Sequence, residues 1–144
     1  MSVILSEIEC EEIVKKATHQ KDAKIFNFKI IGFGSYLGFL GEYFRLKINA
    51  AVNNSTREFN FFLKSLPLKD LKQRKMLEET GIFRKEVKLY ENLILELSKF
   101  MIGDNNWCPM VYLFRDDLLV LEDLSLKNYE MLPFRFKFSK LHVE

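Results

Sequence analysis

Between Glu42 and Val52 the chain alternates without a break, with Phe44, Leu46 and Ile48 on one side and Tyr43, Arg45 and Lys47 on the other. A period of two is the mark of a strand with one face buried. Asn53-Asn54-Ser55-Thr56 then supplies turn chemistry, and a second apolar run, Arg57 to Leu66, leads to Pro67. Pro67 cannot donate to a sheet ladder, so the strand ends there. A long antiparallel hairpin is therefore expected at the centre of the chain, and everything else must pack around it.

Before the hairpin, Ser6 and Glu9 form a capping-box pattern that opens a helix through about Thr18. Cys10, Ile13, Val14 and Ala17 give that helix one apolar stripe. A first strand is expected from Lys24 to Phe33, followed by a turn marked by glycines 32, 34, 38 and 41. After the hairpin, Lys69, Lys72, Arg74 and Lys75 read as a solvated basic connector. Phe83, Val87, Tyr90, Ile94 and Leu97 then step by four, three, four, three, the pattern of one long helix with a single core stripe. Gly103-Asp104-Asn105-Asn106 ends it. Two short strands follow, Met110 to Phe114 and Leu118 to Leu121, joined by Arg115-Asp116-Asp117. The expected class is α+β, with a five-stranded antiparallel sheet, one long packed helix and an N-terminal helix. The tail is mixed: Phe134, Phe136 and Phe138 alternate like a strand, while Ser139 to His142 resembles the start of a helix.

Composition narrows the function classes. Apolar residues are 48% of 144, which excludes a disordered chain. A formal net charge of +2 gives no field that would point to nucleic acid or an anionic membrane. No apolar run approaches the roughly 20 residues of a membrane span. The N-terminus lacks the basic flank and long apolar core of a secretory signal. Cys10 and Cys108 stand apart, in no metal-spaced cluster, and are expected as buried free thiols in a reducing compartment. His19 and His142 have no companions at zinc-ligand spacing. A cytoplasmic location is expected.

Lys64 shares its strand face with Phe62 and Leu66, so its amine rises from an apolar wall. Burial there favours the neutral amine unless a carboxylate holds the charge. Glu86, three residues after Phe83 and four before Tyr90, faces the same side as the helix stripe. An unpaired carboxylate on a buried helix face costs roughly 3–5 kcal/mol, so it must find a cation. Two readings stand: a Lys64–Glu86 pair, or two edge residues that snorkel to solvent. The glycines also read two ways. Gly32-Phe33-Gly34-Ser35-Tyr36-Leu37-Gly38 departs by one residue from GxGxxG and sits between strands, which excludes a dinucleotide-binding strand–turn–helix. It is either a flap over phosphates or a flexible hairpin. Asp116-Asp117 reads as turn chemistry.

Four runs, in this order, resemble a known family. They are Gly38-Phe39-Leu40-Gly41-Glu42-Tyr43-Phe44-Arg45-Leu46-Lys47, Phe61-Phe62-Leu63-Lys64-Ser65-Leu66-Pro67, Phe83-Arg84-Lys85-Glu86-Val87-Lys88-Leu89-Tyr90 and Leu119-Val120-Leu121-Glu122-Asp123-Leu124-Ser125, with Asn128-Tyr129 just beyond. Together they look like the ecdysteroid-kinase-like (CHK-kinase-like) family of arthropods, which is similar to choline kinases and aminoglycoside phosphotransferases and has a protein-kinase-like fold. The resemblance implies that Lys64 holds the α- and β-phosphates of ATP and that Glu86 fixes Lys64. It implies a phosphate cover from Gly38, Gly41 and Glu42, and an adenine contact along the backbone of Glu122, Asp123 and Leu124. The implied reaction is ATP-dependent phosphorylation of a small-molecule hydroxyl, with ATP and Mg2+ as cofactors and ecdysteroids as the namesake substrates.

The expected organisation is residues 1–22 as an N-terminal helix, 23–125 as the kinase-like N-terminal lobe that the resemblance implies, and 126–144 as hinge, linker and the start of an absent C-terminal lobe. The family's catalytic histidine-then-aspartate loop and its metal-binding aspartate have no counterpart in this chain. A truncated, non-catalytic lobe is therefore expected, with a short isoform acting as a nucleotide- or partner-binding module as the alternative.

Overall fold

A computed structural model of the chain describes residues 4–33, 40–100 and 108–130. The expectations for Gly38, for the glycine turn from Gly34, and for the 131–144 tail lie outside these residues. The order is α1 (Glu7–Thr18), β1 (Lys24–Gly32), β2 (Glu42–Val52), β3 (Ser55–Ser65), α2 (Leu71–Thr80), α3 (Ile82–Lys88), a π-helical turn (Leu89–Ile94), α4 (Leu95–Phe100), β4 (Val111–Arg115), β5 (Leu118–Glu122) and a 3-10 turn (Leu124–Lys127). The five strands form one antiparallel sheet in the order β1-β2-β3-β5-β4. The α+β reading with an antiparallel sheet of five strands is met, and it is the architecture of a kinase-like N-terminal lobe.

The central hairpin is tighter than its sequence suggested. Ser55 and Thr56 already pair with Val52 and Ala51, so the loop is Asn53-Asn54 alone. Both asparagines have positive φ, 51° and 60°, as a two-residue turn that matches the strand twist requires. This loop fixes the register, placing Tyr43 opposite Lys64 and Arg45 opposite Phe62.

The register gives the sheet two unlike faces. On the outer face, Leu46, Ile48, Ala50, Phe61, Leu63 and Val120 pack with Leu5, Cys10, Ile13 and Val14 of the N-terminal segment. Helix α1 opens on a capping box, with Glu9 N donating to Ser6 Oγ at 3.2 Å and Ser6 N to Glu9 Oε2 at 2.8 Å. Arg115 fastens the same end, donating to Glu9 Oε1 and to both Asp117 oxygens, each at 2.8 Å. Burial pushes the Cys10 thiol up to about 12. Cys108 is also free but only half-buried, so the expectation of two buried thiols holds for Cys10 alone.

On the inner face a second core joins Leu66, Leu119 and Leu121 to Leu77 of α2 and to Phe83 and Val87 of α3. Of the basic stretch expected as a connector, Lys72, Arg74 and Lys75 lie on helix α2 and Lys69 just before its cap. Asp70 caps it by accepting from Gln73 N at 2.9 Å, and Gly81 closes it with φ 63°. Arg74–Glu78 and Lys75–Glu79 pairs, four residues apart, line its exposed side. The expected long helix runs from Ile82, but only its first part packs. Phe83 and Val87 are buried, whereas nothing from Leu89 to Phe100 is. The π turn advances less per residue than an α turn, so the stripe falls out of phase after Tyr90. Leu93, Leu95 and Phe100 are left exposed. Among the described residues, no helix is long and apolar enough to cross a membrane.

Candidate functional site

On the inner face, Lys64 lies at the end of β3 between Tyr43 of β2 and Leu119 of β5. Its Nζ donates to Glu86 Oε1 at 2.7 Å and to Oε2 at 2.5 Å, and of the two readings of these residues the ion pair is the one formed. The pair follows from the two periodicities: the strand alternation turns Lys64 inward, and the α3 stripe turns Glu86 toward the sheet. The side chain of Lys64 is 10% exposed and that of Glu86 25%, so neither charge can escape fully to water. Both contacts go to the one Glu86 carboxylate. Among the described residues the ammonium has no other acceptor, and it lies 5.7 Å from the Tyr43 ring and 5.8 Å from the Phe83 ring. Burial and the charge of Glu86 raise the pKa values of Tyr43 and Tyr90, so both phenols stay protonated near neutrality.

Beside this pair the face is aromatic. The rings of Phe33 and Tyr43 each lie 5.8 Å from that of Phe62. Gly41 enters at the same end. A Cβ on it would stand 2.7 Å from the Ser65 carbonyl oxygen and 3.4 Å from Lys64 Cε, so only glycine lets β2 begin against the lysine. Glu42 pairs with Ser65 in the ladder, and its Oε1 accepts from Lys69 N at 3.3 Å, which ties it to the entry of α2.

The segment after β5 is at the other side of the aromatic group. Glu122 N donates to the Met110 carbonyl at 2.8 Å, and its carboxylate pairs with Lys127. Asp123 is buried, and its side chain caps the 3-10 turn by accepting from Ser125 N at 3.1 Å. The Asp123 carbonyl accepts from Leu126 N and that of Leu124 from Tyr129 N. Sequence reasoning missed Arg45, which reaches from β2 to Asp123 Oδ2 at 3.1 Å and to Ser125 Oγ at 3.3 Å. Counting outward from Asn53-Asn54 would have found it, because that register sets Arg45 directly opposite Phe62 on the lysine's face.

The arrangement offers a fixed ammonium at one end of an aromatic face and a turn of backbone at the other. A fixed ammonium of this kind can meet an anionic oxygen, and the rings can stack on a flat group. Among the described residues, no buried side-chain nitrogen or oxygen lacks a partner. Among them, too, no three His, Cys, Asp or Glu side chains converge as metal ligands.

No match was found among curated proteins, and none among solved structures. The family model described as the ecdysteroid kinase-like family matches residues 37–144, well over half of the chain and including Lys64, Glu86 and Glu122-Asp123-Leu124, and the chain belongs to that family.

Proposed function

We propose that this chain is the nucleotide-binding lobe of an ATP-dependent kinase that phosphorylates a hydroxyl on an ecdysteroid-like small molecule. The observation that carries the reading is the Lys64–Glu86 pair, set at the end of an aromatic face. Phosphoryl transfer leaves the protein little covalent work, so its part is positioning and charge stabilisation. Lys64 holds the α- and β-phosphates on the side of its ammonium that Glu86 leaves open. Glu86 keeps that ammonium charged and immobile. Gly38, Gly41 and Glu42 belong to the phosphate cover, and Gly41 lets β2 begin close to Lys64. Phe62, Phe33 and Tyr43 form the slot for the adenine ring, whose edge meets the Glu122–Leu124 backbone.

Among the described residues no three His, Cys, Asp or Glu side chains converge as ligands for the magnesium that the family implies. The chain's own contribution is to bind and orient the nucleotide, and a cytoplasmic location belongs to the same proposal.

Calorimetric titration of the full chain with ATP tests it. Saturable binding that Lys64→Ala weakens by at least about tenfold is expected, the scale of one charge-assisted contact. A wild-type chain that binds no ATP, or a Lys64→Ala chain that binds it equally well, overturns the assignment.

A further inference from the structure

The Arg45 side chain lies on the nucleotide-facing side of the sheet, yet its bonds all run to the segment after β5. Nε donates to Asp123 Oδ2 at 3.1 Å and Nη2 to Ser125 Oγ at 3.3 Å, and the guanidinium carbon stands 5.5 Å from the Phe33 ring. Asp123 is the reason the arginine matters. Its side chain is only 4% exposed, and both carboxylate oxygens are committed, Oδ2 to Arg45 and Oδ1 to Ser125 N and Oγ. A carboxylate this buried needs a cation, and Arg45 is its ion-pair partner. Those bonds hold Asp123 in the extended conformation, φ −82° and ψ 95°, from which the chain turns into Leu124–Lys127. The orientation of the peptides from Glu122 to Leu124 thus depends on a side chain from β2. That strand begins at Glu42, directly after Gly41, so one residue couples the phosphate turn to the base edge.

We propose that Arg45 is a positioning residue for base recognition: through Asp123 it sets the Glu122–Leu124 backbone against the Phe33–Phe62–Tyr43 slot, so that the site selects its ligand by the base as well as by the phosphates. This rests on the nucleotide reading of the Lys64 site. Lys64 and Arg45 then divide the ligand between them. Lys64 serves the phosphates, and Arg45, acting at a distance, serves the ring. Lysine could keep the charge opposite Asp123 but not the paired reach to Asp123 and Ser125, so a conservative exchange restores part of the effect.

The test compares ATP with tripolyphosphate, which carries the phosphates and no base, titrated into the full chain in one magnesium-containing buffer. Arg45→Met is expected to weaken ATP by about tenfold, the scale of a charged hydrogen-bond pair, and to leave tripolyphosphate unchanged. Arg45→Lys recovers part of the ATP loss, and Asp123→Asn repeats the selective loss. Lys64→Ala weakens both ligands and so reports on the site itself. Equal weakening of ATP and tripolyphosphate by Arg45→Met, or no weakening of ATP, overturns the proposal. A wild-type chain that binds neither ligand overturns the nucleotide reading instead. Should Arg45→Met not fold, the ratio of the two affinities in Arg45→Lys and Asp123→Asn decides, because a loss of bulk structure lowers both together.

Discussion

The two faces of the sheet are built from the same strands and solve different problems. The outer face is closed: Leu46, Ile48 and Leu63 pack in one apolar cluster with Cys10, Ile13 and Val14 of α1. The inner face is half closed. Helices α2 and α3 cover Leu66, Leu119 and Leu121, and the sheet then opens onto Lys64, Tyr43, Phe62 and Arg45. One face holds the lobe together. The other holds charges in place at a cost in burial, which is the arrangement expected where a ligand is to be met.

The sharpest way to break this comparison is to damage each face in turn. Leu63→Ala removes a fully buried side chain from the outer face and should lower stability by about 2–5 kcal/mol in denaturant unfolding. ATP affinity measured well below the transition should not change. On the inner face, Glu86→Leu strands the ammonium of a lysine that is 10% exposed and should cost about 3 kcal/mol. Lys64→Met should cost less, because Glu86 can turn further into water. The double variant Lys64→Met/Glu86→Leu should recover most of that stability while ATP binding stays lost. A double variant that still binds ATP would erase the distinction between the faces.

A smaller effect is expected at the boundary between β2 and β3. Gly41→Ala forces a methyl to 2.7 Å from the Ser65 carbonyl, and relief of that contact should cost about 1–3 kcal/mol and move the turn off Lys64. ATP affinity should fall with it, which no outer-face substitution of similar cost should do.

The smallest effect is a pH dependence on the outer side. Hydrogen bonding to Arg115 holds Asp117 below the usual carboxylate range. For Glu9 burial pulls the other way, but the bonds from Ser6 N and Arg115 prevail and its pKa is also lowered. Depressed carboxylate pKa values stabilise the fold fully above the unfolded values, near pH 4, and that stability is lost as the pH falls through the lower folded values. Both groups are partly solvated, so the amount should be under about 1 kcal/mol. Arg115→Gln should flatten the acid limb of a stability-against-pH curve, with ATP binding at neutral pH unchanged.

What the sequence disclosed follows from range. The strands, the hairpin and α1 were legible because each is written in a local period: two for Tyr43 to Lys47, and three to four for Cys10 to Ala17. The Lys64–Glu86 pair was legible as two orientations that had to converge. Helix α2 was hidden because Leu77 is its one buried residue, and a run of lysines without an apolar stripe reads as a connector. Its true signals were the ends, Asp70 and Gly81. The π turn left no mark in composition, so the four-three-four-three stripe promised more burial than Ile94 and Leu97 receive. Arg45–Asp123 and Arg115–Glu9 join residues far apart in the chain, and only the folded register brings them together.

The most direct measurement is amide hydrogen exchange of the full chain with and without saturating ATP. The account predicts slowed exchange in peptides covering 40–45, 61–66, 84–90 and 120–126, with α1 at 7–18 unchanged. Protection spread evenly over both faces, or confined to α1, would contradict it.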